Sequence, residues 1–164
     1  MDINRLFNLG MDRYIPQPLP DNDKGVILNL GAGNKMIDQS IPLDYPDWDA
    51  DQDPIPFENS TVSMIHAYHF LEHCADPVHV LHECQRVLMP GGHINIIVPY
   101  YNSQMAAQDL DHKSQFCEMT WKTTFDNPYY DKRPIQWELK IHLNVIIGIV
   151  ERNICLLTQL QKLP

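Results

Sequence analysis

Basic residues are scarce in this chain: 12 lysines and arginines stand against 21 acidic residues, a formal net charge of −9. A nucleic-acid substrate needs clustered cations to neutralise phosphate, so no such partner is expected. Solubility alone accounts for the acidity. Long apolar runs are also missing, and none reaches the roughly 20 residues of a membrane-spanning helix. The opening Met1-Asp2-Ile3-Asn4-Arg5 leads with an acid and lacks the basic start of a secretory leader. Cys74, Cys84, Cys117 and Cys155 are scattered without Cys-x-x-Cys spacing, as expected of reduced thiols in a cytoplasmic protein. Two phosphate-loop signatures are absent. There is no Gly-Lys-Ser/Thr, and Met36 stands where Gly-x-Gly-x-x-Gly requires its third small residue.

What is present is an ordered series of segments within 164 residues, a length that suits one domain. Asp2 to Leu9 reads as a short helix, and Tyr14 to Lys24, with three prolines, as an extended arm. Residues 25 to 125 form the core of the domain, and 126 to 164 its C-terminal strands. Gly25 to Leu30 is a short apolar run that enters a Gly-x-Gly turn, the pattern of a buried parallel strand. Ile41 to Asp44 and Trp48 to Asp51 read as further short strands, and Val62 to Ala67 as a fourth. Asp76 and Pro77 open a helix expected to run to Gly91-Gly92, with Val78, Leu81, Val87 and Leu88 on its apolar face. His93 to Pro99 is another buried strand, and Ser114 caps a helix to Phe125. Gln136 to Leu163 is read as two paired strands, with a helix from Glu151 as the competing assignment. The expected fold is α/β, Rossmann-like, with a mostly parallel sheet, flanking helices and an antiparallel C-terminal strand pair. Only ten residues separate Leu30 from Ile41, too few for a full crossover helix, so the first helix is reduced or missing.

A Gly-x-Gly turn after a first strand lets backbone amides approach a ligand, and Asp44 closes the second strand where a carboxylate can accept from ribose hydroxyls. These features, with Asp53 to Phe57, His69 to His73, Arg86-Val87-Leu88-Met89-Pro90-Gly91-Gly92 and Ile97 to Tyr100, resemble the class I S-adenosylmethionine-dependent methyltransferases, type-11 subgroup, over residues 25 to 125. The resemblance implies S-adenosylmethionine as cofactor and methyl transfer to a small molecule, sugar or protein group. It assigns Leu30, Gly31, Ala32 and Gly33 to the loop under the methionine part, Asp44 to the ribose, and Asp53 with Ile55 to the adenine. It places Tyr68 and His69 beside the methyl group. Asn29 stands where many members carry an acid, and the missing helix leaves the site more open.

The histidines allow other readings. His69-Phe70-Leu71-Glu72-His73 fits the His-x-x-Glu-His pattern of a zinc hydrolase, but the run follows a buried strand and breaks at Asp76-Pro77. The leading expectation is therefore no metal, with a zinc hydrolase using His69, Glu72 and His73 as an alternative. His79, His82 and Cys84 make a second cluster, best read as surface. His112 is either a base that takes a proton from the acceptor or a residue that positions the acceptor loop. Tyr100 and Tyr101 are candidates for shaping the pocket, and Tyr129 and Tyr130 for covering the sheet. A further alternative is a non-catalytic cofactor- or partner-binding module. The apolar C-terminal segment could supply a homodimer interface.

Overall fold

Six strands form one mixed sheet in the order β2-β1-β3-β4-β6-β5. The computed structural model describes residues 25–125, 135–149 and 153–164. The expected N-terminal helix and arm, and the placement of Tyr129 and Tyr130, lie outside the described residues. In chain order the elements are β1 (Val26–Leu30), β2 (Ile41–Leu43), β3 (Val62–Tyr68), a 3-10 turn (Leu71–His73), α1 (Pro77–Val87), β4 (Leu88–Pro99), α2 (Gln104–Ala107), α3 (Glu118–Phe125), β5 (Leu139–Ile149) and β6 (Asn153–Lys162). The first four strands pair in parallel, and β6 runs antiparallel to both β4 and β5. The strand assignment for the C-terminal segment thus holds over β5 and β6, and a helix there does not form. Between β1 and β2 lie only turns, as the short spacing requires.

Three boundaries differ from expectation, each for a backbone reason. Trp48 to Asp51 is a series of turns, because carboxylates capture its amides: Asp49 N donates to Asp53 Oδ2 and Asp51 N to Asp49 Oδ1, each at 3.0 Å. The helix opened by Asp76, whose side chain caps the His79 amide, stops at Val87 rather than at the glycines. Ser60 N and Thr61 N take the carbonyls of Arg86 and Val87, and Leu88 already pairs with Val62 in the sheet. Val62 pairs with Leu88 but Met64 with His93, so Met89 to Gly92 form an excursion in β4. Gly92 belongs there because a Cβ would sit 3.0 Å or less from Leu88, Met89 and Ser63. Finally, Ser114 does not start a helix. Phe116 bridges to Tyr100, and α3 begins only at Glu118.

The main core lies on one sheet face. Leu28, Leu30, Ile65, Ile94, Ile96, Val98, Leu156 and Leu160 pack with α1 residues Val80, Leu81, Cys84 and Val87 and with Trp121 of α3. The alternate strand positions point to the other face, where Tyr68, Ile97, Cys155 and Leu157 form a smaller cluster. A row of polar side chains crosses the sheet at one register. Asn29 pairs with His66, His66 with Asn95, and Asn95 with Gln159, and all four are buried. Gln159 Nε2 donates to Asn95 Oδ1 at 2.9 Å, and His66 Nδ1 lies 3.0 Å from the Tyr68 hydroxyl and 3.4 Å from Asn95 Nδ2.

Candidate functional site

The chain leaves β1 toward β2 on one side and returns to β3 on the other. The carboxyl ends of β1 and β3 therefore flank the point where strand order reverses, the usual ligand crevice of an open α/β sheet. Here a cleft of about 150 Å³ is lined by Asp44, Tyr45, Trp48, Asp49, Ala50, Asp51, Phe70, His73 and Cys74.

The glycine loop lies next to it, joined to the lining residue Asp44. Gly31 and Gly33 both take left-handed φ, +63° and +51°. A Cβ on Gly31 would lie 2.3 Å from the Phe70 ring, whereas one on Gly33 would meet nothing within 4 Å. The Asp44 carboxylate accepts the Gly33 amide and, at 2.9 Å, the Tyr45 amide, which ties the loop to the end of β2. Asn29 donates to the Lys35 carbonyl at 2.9 Å and fastens the far side of the loop, where a helix would otherwise continue. Leu30 and Ala32 are buried, and Gly33 is exposed.

The acids following β2 are arranged differently from the sequence assignment. Asp53 is exposed, bonded to the Asp49 amide, and off the cleft wall. Asp49 and Asp51 line the wall instead. Asp51 Oδ1 accepts the Ala75 amide at 2.7 Å, and its other oxygen lies 3.3 Å from Lys113 Nζ. Ile55, 1% exposed, is a core residue and offers no face to a ring. Nothing in the local sequence distinguishes Asp51 from Asp53; the turn geometry does. Trp48 and Phe70, with ring centroids 6.1 Å apart, are aromatic wall residues that sequence reasoning missed.

Beyond β3, Tyr68 is buried against His66, and burial pushes its phenol well above the usual range. His69 sits at φ +53° with its amide on the Ile97 carbonyl, and its Nδ1 is 3.3 Å from Glu72 Oε1. His112 does come to this end of the sheet. Its ring lies edge-on to His73 with centroids 4.8 Å apart, and Nδ1 is 3.2 Å from the Ala106 carbonyl. Tyr100 and Tyr101 pack on each other away from the cleft, and the Tyr100 hydroxyl donates to Glu118. The Cys74 thiol is pushed up to about 12, by burial first and then by Asp51, so it supplies no thiolate at neutral pH. His82 is exposed, while Cys84 is buried in the core, so these two do not form a ligand set.

Residues 30–96 match the family model described as a methyltransferase domain. The fold is similar to an S-adenosylmethionine-dependent methyltransferase from Mesorhizobium loti, with a TM-score of 0.65 at 12% identity over 96% of this chain and 98% of that one. A methyltransferase of the same cofactor dependence from Archaeoglobus fulgidus gives a TM-score of 0.62 at 16% identity, covering 96% of this chain and 94% of that one. A chain of the complex between the Trm112 methyltransferase activator and a methyltransferase of Haloferax volcanii gives 0.63 at 14% identity over 96% and 94%. No curated protein matches the sequence. Residues 30–96 are thus similar to the type-11 methyltransferase domain, and the mixed sheet has a Rossmann-like fold similar to that of solved S-adenosylmethionine-dependent methyltransferases.

Proposed function

We propose that the protein transfers a methyl group from S-adenosylmethionine, by in-line displacement, to a small molecule, a sugar or a protein group. The observation that supports this most is the cleft at the switch point, with Asp44 at the end of β2 and the glycine loop beside it. Its donor set suits the nucleoside end of the cofactor. Trp48 and Phe70 offer aromatic faces, Asp44 can accept from the ribose, and Asp49 and Asp51 can accept from the adenine amino group. Three carboxylates also favour a ligand carrying positive charge. The open space above Gly33 can admit the amino-acid end, provided the Phe70 ring swings away from Gly31.

The bound cofactor supplies a methyl group already activated by its sulfonium charge. The residues of this chain orient, exclude water and move protons. Positioning alone can supply roughly 7–11 kcal/mol of the barrier. Of the His112 nitrogens, Nδ1 is engaged by the Ala106 carbonyl, so Nε2 is the one that could take a proton from an acceptor.

The test is calorimetric titration with S-adenosylmethionine and S-adenosylhomocysteine. Micromolar binding of both, the product at least as tight, is expected; absence of binding up to millimolar ligand overturns the reading. A second reading, a binding module without transfer, is favoured by one feature: Phe70 fills the space over Gly31. Tight cofactor binding without turnover across a broad acceptor panel would select it.

A further inference from the structure

We propose that Glu72, His73 and His112 bind a divalent first-row transition-metal ion, with zinc as the probe of choice. One ligand atom from each of these residues lies within 4.8 Å of the other two. Ligands held at about 2.0–2.2 Å around a tetrahedral ion stand roughly 3.4 Å apart, so shifts of about 1 Å close the set. Two imidazoles and a carboxylate suit such an ion, and three protein ligands leave its fourth position open.

The surroundings select the ligand atoms. His112 Nδ1 lies 3.2 Å from the Ala106 carbonyl, and a proton donated there leaves the Nε2 lone pair free. Glu72 Oε1 faces His69 Nδ1 at 3.3 Å, which leaves Oε2. That oxygen is buried and, among the described residues, has no hydrogen-bond partner, on a side chain only 1% exposed. A buried carboxyl oxygen without a partner is costly, and a cation within reach removes the cost. Asp109 Oδ2, 3.9 Å from His112 Nε2, adds negative charge near that nitrogen.

The backbone holds the two ligand segments together without the ion. The amides of Lys113 and Ser114 both donate to the Glu72 carbonyl, at 2.7 and 3.2 Å. The sequence pattern His-x-x-Glu-His implies a different set, in which His69 and His73 share a helical face. The chain instead makes a 3-10 turn over Leu71–His73 preceded by His69 at positive φ, so His69 orients Glu72 and His112 takes its place as ligand. His73 also lines the cleft, so a bound ion would sit at its wall. An ion held on His112 Nε2 takes that nitrogen out of the role of base, and the site is tested apart from the methyl-transfer reading because metal binding is measured without cofactor.

The experiment is equilibrium titration of the metal-stripped full-length protein with Zn²⁺, paired with visible absorption of the Co²⁺ form. One equivalent is expected, with the d–d bands of a four- or five-coordinate nitrogen and oxygen site. His73→Ala and His112→Ala should each weaken binding by about 100-fold or more, beyond the roughly 10–100-fold typical of losing an outer-shell partner. Glu72→Gln should do the same; should that buried change prevent folding, the two histidine variants still decide. His142→Ala, at the separate His93–His142 ring pair, should leave affinity unchanged. Absence of stoichiometric binding, or binding that survives both His73→Ala and His112→Ala, overturns the site.

Discussion

Asp44 carries two tasks that a single substitution will expose together. Its carboxylate holds the glycine loop through the Gly33 amide, and the same group is the proposed acceptor for the ribose. Asp44→Ala is expected to weaken S-adenosylmethionine binding at least about tenfold, the scale of two lost hydrogen bonds. Calorimetry checks this, and unchanged affinity would remove the ribose assignment. Gly31 is constrained more severely. A Cβ there meets the Phe70 ring at 2.3 Å and requires φ of +63° from a residue that disfavours it. Gly31→Ala should destabilise by about 1–3 kcal/mol, read as a lower urea midpoint, unless paired with Phe70→Ala, which removes the steric part. The Gly-x-Gly signal was plain in the sequence. That Asp51 rather than Asp53 lines the cleft was not, because it depends on which carboxylate each turn amide captures.

Among the elements, α1 is fastened at more points than its apolar face suggests. Arg86 donates to the carbonyls of Ile55 and Phe57, to Asn59 and to Glu83, while Glu83 accepts the Ile55 amide. Burial alone would raise the Glu83 carboxyl, but hydrogen bonds from Arg86 and Ile55 outweigh it and hold it below its usual range. At the end of the helix, the Lys162 ammonium, from the last strand, donates to the Gln85 and Leu88 carbonyls at 2.8 and 2.9 Å. Arg86→Lys cannot reproduce the fork and should cost about 2–4 kcal/mol, measurable by denaturant melts. Cofactor affinity per folded molecule should stay unchanged if the role is structural. Helix and strand existence were readable from apolar spacing and from Asp76-Pro77. The helix stop was not, since Ser60, Thr61 and Lys162 arrive from distant parts of the chain.

Across the whole molecule, the buried polar row makes stability depend on pH. Burial pushes His66 down to about 4, below the roughly 6.5 of an unfolded histidine. The fold favours the neutral ring. Stability is therefore complete above pH 6.5 and declines as pH falls toward 4, by about 3 kcal/mol in full. His93 is lowered by burial as well and adds in the same direction. Urea midpoints between pH 7 and 4.5 should fall in the wild type and fall less in His66→Gln. An equal fall in both would remove His66 as the cause. No helix of the described residues is long and apolar enough to cross a membrane.

The same row also limits how the strands can be assembled. The strands that contribute to it are otherwise largely apolar, with side chains that would pack almost as well out of step. A slip by one residue rotates every side chain to the opposite face. It would drive His66, Asn95 or Gln159 into the apolar layer under α1 and strand the remaining members of the row without partners. The four polar residues thus act as an alignment key. They penalise misaligned sheets more than they strengthen the correct one, and they join β6 to β4 between residues 64 positions apart in sequence.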